Sequence, residues 1–532
     1  MKTNHISIKR LVLLAGIAAG LPGCTKNFES YNTDPTKISN QALQVSTLFI
    51  PLEQEIMYIY DDGYQTGQNL NADDYAGYAM PDQTFGQALD NANYVFIDGW
   101  NSEAFNSIYT YLLGPIKNQV APTGIATTNP DYWAVALIIE VEAIDRITDK
   151  FGPVPYSKVG SSLVSIPYDS QQSIYQQMFA QLDTATANLN TYITANPGSK
   201  PLAANDAIYG GDYTKWLKFA NSLRLRLAMH IVKIDPTTAQ AQAQTALSAP
   251  GGLMAAASDD AAVLPSQANG NDYYQITFNY GDNSMNASIE SYMVGYNDPR
   301  LPIYFSPDTN AGHTTQYTGL RIGCTIPPKP FYSGFSKYNT NTTFNISASE
   351  VLMTAAEVWF LKAEAAVRGW TGAGNAQTDY ETGIQTSMTQ YGVAGSAAAY
   401  IADNTSVPAA YVDYLNSANN SPALGTITIQ WDPAATQEQM LERIITQKWL
   451  AMFPEGQEAW TEFRRTGYPK LFPVVVNSSG GTINTQIQVR RLAYPHSEAT
   501  VNASALEAGI TLLGGPDNGG TRLWWDVAKG NF

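Results

Sequence analysis

Cysteine is close to absent: Cys24 and Cys324 are the only two in 532 residues, so at most one disulfide is available. Histidine is scarce as well, with four in all, and His230, His313 and His496 lie far apart. The chain has no H-E-x-x-H, C-x-x-C, G-x-S-x-G, Gly-Lys or G-x-G-x-x-G pattern, which removes the common zinc, thiol, serine-hydrolase and phosphate-loop chemistries. A glycosidase needs only two well-placed carboxylates, but the expected role of the 46 acidic residues is solvation or ion pairing, so no catalytic residue is expected. Asp272 and Asp282 sit among oxygen-rich neighbours without the spacing of a calcium loop, and neither metal nor cofactor is expected. Positive charge is in short supply: 30 Lys and Arg give a net charge of −16, which disfavours nucleic acid. Long apolar runs are missing too. The ten residues Leu11 to Gly20 are too few to span a bilayer.

That run has another use. Lys2, Lys9 and Arg10 precede it and Leu21-Pro22-Gly23-Cys24 follows, in the order of a basic leader, an apolar core and a lipobox. Residues 1–23 are therefore expected to be a lipoprotein signal peptide, and Cys24 the lipid-attached N-terminus of a mature chain over 24–532. Several acyl chains on one residue would anchor it firmly to a membrane. With Cys24 acylated, no disulfide remains; a chain of this length buries enough core without one.

What the sequence does have is 32 Tyr and 10 Trp with only 14% charged residues. Aromatic faces stack on the C–H faces of sugar rings while amides bond the hydroxyls, so this composition suits neutral polar ligands. Most of these rings are nonetheless expected in the core.

Several segments carry helical periodicity. In Asp131 to Lys150, Ala134, Leu137, Ile138, Val141 and Ile144 recur at helical spacing, and Gly152-Pro153 stops the run. Trp216, Phe219, Leu223, Leu227 and His230 do the same in Tyr213 to Ile231, with His230 expected as a core histidine. Ser347 to Glu350 reads as a capping box opening a helix to Arg368, followed by a second helix over 376–391. Thr436 to Gln439 is another capping box, and Gly456 to Arg465 a further short helix closed by Gly467. From about 260 to 345, Gly, Asn, Asp, Pro and Tyr dominate without a helical period. Val474 to Arg490 reads as two β-like runs about a Ser-Ser-Gly-Gly turn. The expected fold is mainly α: helical hairpins of tetratricopeptide size, long irregular loops and minor β.

Ordered blocks extend this pattern: FESYNTDPTKIS, NADDYAGYAM, DKFGPVPYSK, DYTKWLKFANSLRLRLAMHI, SYMVGYNDPRLPIYF, MTAAEVWFLKAEAAVRGW, IITQKWLAMFPEGQEAWTEFRRTGYPKL and RRLAYPHSEATVN. In this order they resemble the SusD/RagB-like outer-membrane lipoproteins over nearly the whole mature chain. The resemblance implies four tetratricopeptide-like hairpins and a location on the outer membrane, facing the cell exterior. It also implies a TonB-dependent β-barrel transporter as partner, oligosaccharide or peptide as cargo, and no enzymatic activity.

Within the blocks, Glu458, Trp460, Phe463, Arg464, Arg465, Arg224, Arg226, Asp298 and Arg300 are expected to hold the fold. Ligand contacts are expected on exposed loops, with Asp73, Tyr75, Tyr78, Trp100, Asn101, Tyr273, Tyr274, Tyr280 and Tyr296 as candidates. Trp100, in FIDGWNSEAF, is the leading candidate for a stacking platform.

Overall fold

A computed structural model describes residues 44–60, 62–85 and 89–532. The leader and Cys24 lie outside the described residues. Eleven α-helices of nine or more residues are present among them: α1 (Asp98–Ser107), α2 (Pro130–Phe151), α3 (Gln171–Ala195), α4 (Tyr213–His230), α5 (Pro236–Leu247), α6 (Ala287–Gly295), α7 (Ala355–Val367), α8 (Ala376–Gln390), α9 (Gln437–Met452), α10 (Gly456–Thr466) and α11 (Ala503–Leu513). Three two-stranded antiparallel ribbons supply the β-structure: β1 (Ala79–Pro81) with β5 (Asn283–Met285), β2 (Val154–Pro155) with β3 (Tyr168–Asp169), and β4 (Ala261–Val263) with β6 (Glu350–Met353).

Consecutive helices pack as pairs, α2 on α3, α4 on α5 and α7 on α8, and the helical segment Gln65–Asp73 packs on α1. Helix α9 lies against both α7 and α8. Residues 48–532 form one compact unit. The mainly α, hairpin-built fold read from periodicity is the observed one.

Helix α2 shows how the core is built. Its apolar stripe is buried as the spacing requires, yet Glu140, Glu142, Asp145, Arg146, Asp149 and Lys150 on its other faces are buried too. Each therefore needs a partner inside the protein. Arg146 pairs with Glu455 at 3.2 Å and Glu142 with Arg226 at 3.4 Å, and Lys150 donates to the Gly67 carbonyl at 2.6 Å. The network continues along the helices. Arg226 holds Glu357 through two bonds of 2.8 and 2.7 Å, and Arg465 bridges Glu364 and Glu462. His230 sits between the Tyr175 hydroxyl and Glu458, each at 3.0 Å. The Arg464 guanidinium lies 3.6 Å over the buried Trp460 ring and bonds the Asp149 and Arg490 carbonyls. The motif arginines and His230 are structural, as expected.

Three expectations are corrected. Helix α7 starts seven residues later than the Ser347 capping box implied, capped by the Thr354 hydroxyl accepting from the Glu357 N–H at 3.1 Å. Glu350 belongs to strand β6, and its carboxylate accepts from the Asp272 N–H instead of closing a capping box. Residues 474–490 form no hairpin: the Val475 and Val476 N–H groups donate to the carbonyls of Ile322 and Gly323, outside the segment. Inside the loop-rich stretch, Ala287–Gly295 is a regular helix, buried on most sides, capped by Asn286.

Candidate functional site

Strand pairing brings the site together. The β1–β5 ribbon pairs Pro81 with Asn283, and an isolated bridge from Ser284 to Lys337 adds a third segment. Residues 82–85, 278–282 and 329–331 are thereby gathered at one edge. Asp282 is the hub: the side-chain amide of Gln83 donates to it, Gln65 Nε2 reaches it at 3.3 Å and Lys329 Nζ at 2.9 Å. Lys329 also donates to the Tyr280 carbonyl at 3.2 Å, fixing that loop.

Aromatic rings lie on the same segments as these groups. Phe85, two residues after Gln83, meets Trp100 edge to face, with centroids 5.3 Å apart and planes at 87°. Trp100 is the third residue of α1 and only half-buried. On the other segment Tyr274 and Phe278 stack at 5.0 Å and 28°, one helical turn apart. Phe278 is 64% exposed and Tyr280 56%, although burying such rings is worth roughly 1.5–3 kcal/mol each. Exposed apolar rings beside ordered amides and one carboxylate make a stacking and hydrogen-bonding rim. Next to it lies a pocket of about 210 Å³ lined by Tyr64, Gln65, Thr66, Asp272, Gln275 and Tyr280. Asn269 lines both this pocket and a larger hollow of about 810 Å³ beside Tyr60, Leu264 and Ile346.

Of the nine residues expected to touch ligand, Trp100, Tyr274 and Tyr280 lie on this rim. The other six have their side chains inside the protein, which corrects the expectation of exposed loops. Asp73 accepts from Tyr64 at 2.7 Å and from Gln68 at 3.1 Å. Burial pushes its carboxyl up to about 6, against the hydrogen bond from Tyr64, with Glu455 adding repulsion. Tyr75 donates to the Asn91 carbonyl at 3.2 Å, and Asn101 accepts from Asn91 at 2.9 Å. Tyr78 stacks on Trp449 at 5.3 Å and donates to its carbonyl. Tyr273 lies 2.8 Å from the Tyr64 hydroxyl, and Tyr296 donates to the Ile427 carbonyl at 2.9 Å. These are wall and scaffold groups. Sequence reasoning missed Phe85, Phe278, Gln83 and Lys329 and weighed Asp282 only as a metal ligand. Only the F-N-Y-G run at 278–281, aromatics in a turn-rich loop, carried a signal for them.

Comparison with known proteins places this architecture. The SusD-like family, described as SusD and RagB outer-membrane lipoproteins, matches residues 26–526. The chain belongs to the SusD/RagB family. A chitin-binding SusD homologue from Flavobacterium johnsoniae is similar at 42% identity, with a TM-score of 0.86, over 92% of this chain and 100% of that one. A SusD homologue from Bacteroides vulgatus is 38% identical with a TM-score of 0.85, over 92% and 98%. A SusD-like protein from Bacteroides thetaiotaomicron is 33% identical with a TM-score of 0.84, over 91% and 99%. No curated protein matches. As a member of this family the chain is an outer-membrane lipoprotein, and no helix among the described residues is long and apolar enough to cross a membrane.

Proposed function

We propose that this SusD-family lipoprotein is a non-enzymatic glycan receptor, tethered through acylated Cys24 on the outer face of the outer membrane. It passes its cargo to a TonB-dependent β-barrel transporter. The observation that carries the glycan reading is the rim around Asp282, where the half-buried ring of Tyr274, the exposed rings of Phe278 and Tyr280, and the Phe85–Trp100 pair that follows Gln83 accompany a fixed set of amides. Rings offer flat apolar faces to pyranose C–H bonds, while Gln83, Gln65, Asp282 and Lys329 offer donors and acceptors to hydroxyls. The 42% identical chitin-binding relative makes β-linked N-acetylglucosamine oligosaccharides the first probe.

The test is affinity electrophoresis and calorimetry of the mature chain against chitooligosaccharides, maltooligosaccharides and a peptide library, with detergent co-purification from native membranes. One glycan class should bind without product release, and a large β-barrel should co-purify. Binding of peptides alone would replace the cargo and keep the transporter; release of shorter sugars would make the chain a hydrolase and end this reading.

A further inference from the structure

A third cavity, of about 420 Å³, shares no lining residue with the two that Asn269 lines and lies at the C-terminal end of α10. Its walls come from Arg464 to Gly467, the turn after α4, residues 470–473 and 486–490, and the C-terminal stretch 522–529. Five cationic side chains line it beyond the two motif arginines: Lys233, Lys470, Arg490, Arg522 and Lys529. Such a concentration is unexpected in a chain with a net charge of −16.

The charge balance is lopsided. Arg490 and Arg522 share a single carboxylate, Asp526, with Arg522 at 2.7 Å. Arg464 and Arg465 are occupied by backbone carbonyls, Glu364 and Glu462. Among the described residues Lys233, Lys470 and Lys529 form no ion pair with a carboxylate, although Glu442 lies near enough to Lys470 to feel its charge. Part of the positive charge serves the end of α10, where Lys233 donates to the Arg465 carbonyl at 3.0 Å and Arg490 to the Arg464 carbonyl at 2.6 Å. That role takes one of the three Lys233 N–H donors and part of Arg490, and leaves Lys470, Lys529 and Arg522 free of the helix end. Burial and then the neighbouring Arg465 lower the half-buried Lys233 ammonium to about 8; Asp526 opposes the shift, and Arg522 and Arg490 add to it. No carboxylate lines the cavity itself, and Asp526 behind it offsets only part of the positive charge of the lining.

We infer that this cavity binds a phosphate monoester carried on a sugar or a lipid headgroup, gripped by Lys233, Lys470, Arg522 and Lys529. A monoester carries about −1.5 to −2 charges near neutrality, which matches a surplus that one carboxylate would leave largely unmet. Lysines meet phosphate as point charges and arginine as a fork, and both kinds are present. Leu471, Ile487 and Val527 give the remaining wall an apolar surface for a carbon skeleton, and the volume is that of a small-ligand pocket.

Calorimetric titration of the mature chain with glucose 1-phosphate, with glucose as the neutral control, tests the free ester. Flotation with equimolar phosphatidylcholine–phosphatidic acid vesicles, against phosphatidylcholine alone, tests the headgroup; a soluble chain starting after Cys24 keeps the anchor out of both. Heat with the ester or flotation with the acid lipid, weakened about tenfold or more in Lys470→Gln/Lys529→Gln and by added salt, is the expected result. Whichever source responds is the one the cavity serves. Both lysines are exposed, so the double variant should fold; Lys233→Gln, which also loses a helix-end bond, is the second variant. Silence with both phosphate sources, or binding that the lysine variants leave unchanged, overturns the inference. Trp100→Ala should leave phosphate binding intact, so this site and the glycan rim stand or fall separately.

Discussion

Arg465 and Glu364 are fully buried, bonded twice to one another, and held in turn by Glu462 and Arg368. Removing one member strands its partner, so Arg465→Ala should cost about 3–5 kcal/mol in urea unfolding, whereas a pair replaced together by apolar residues would cost far less. Buried ionisable groups also give the fold a pH optimum. Burial raises Asp73 to about 6 and, against Arg226 and Arg146, Glu142 to about 7. Each holds a proton that the unfolded chain has released above about pH 4, so stability falls as pH rises through that window. Burial alone would lower His230, but Glu458 and Asp145 hold it well above its usual value. Its stabilisation is complete below about pH 6.5 and is lost as pH rises through its folded value. Glu364 runs the other way: burial would raise it, but Arg465 and Arg368 hold it at about 2, so its support disappears as pH falls from about 4.3. Thermal melts should therefore be highest near about pH 4–5 and fall towards about pH 8, with Asp73→Asn flattening the part of that fall between about pH 4 and 6.

At the scale of elements, helix ends and ligand loops separate cleanly. Thr436 caps α9 and Gln439 returns the bond, so Thr436→Ala should lower stability by about 1 kcal/mol without touching ligand binding. Tyr78→Phe leaves the buried Trp449 carbonyl without its donor and should cost about 1–3 kcal/mol, again with binding unchanged. Helices with dense apolar stripes, such as α2 and α4, were legible to within a residue or two, because one periodicity set both the element and its buried face. Helix α3 escaped, because Gln, Thr and Asn fill its surface and mask the stripe of Ile174, Met178, Leu182, Ala185 and Leu189. At the site, Trp100 and Tyr280 could be chosen from aromatic character in turn-rich loops. Tyr75, Tyr78 and Tyr273 share that character and are buried, because tertiary packing sets them against Trp460, Trp449 and Tyr338 respectively. Phe85 meets Trp100 fifteen residues further along the chain, a contact no helical or strand period encodes.

On the scale of the whole molecule, a rigid, ion-paired helical scaffold carries two chemically unlike recesses: a near-neutral aromatic rim and a cationic cavity. The family assignment supplies the setting, an outer-membrane lipoprotein, and the rim is the site proposed for specificity within it. The most direct measurement is calorimetric titration of chitooligosaccharides into the mature chain, its Trp100→Ala and Phe278→Ala/Tyr280→Ala variants, and Tyr78→Phe. Each exposed ring contributes on the order of 1–1.5 kcal/mol of stacking, so the rim variants should bind about tenfold more weakly at unchanged melting temperature. Tyr78→Phe should melt earlier and bind as before. Undiminished affinity in both rim variants, with folding intact, would contradict the placement of the glycan site around Asp282.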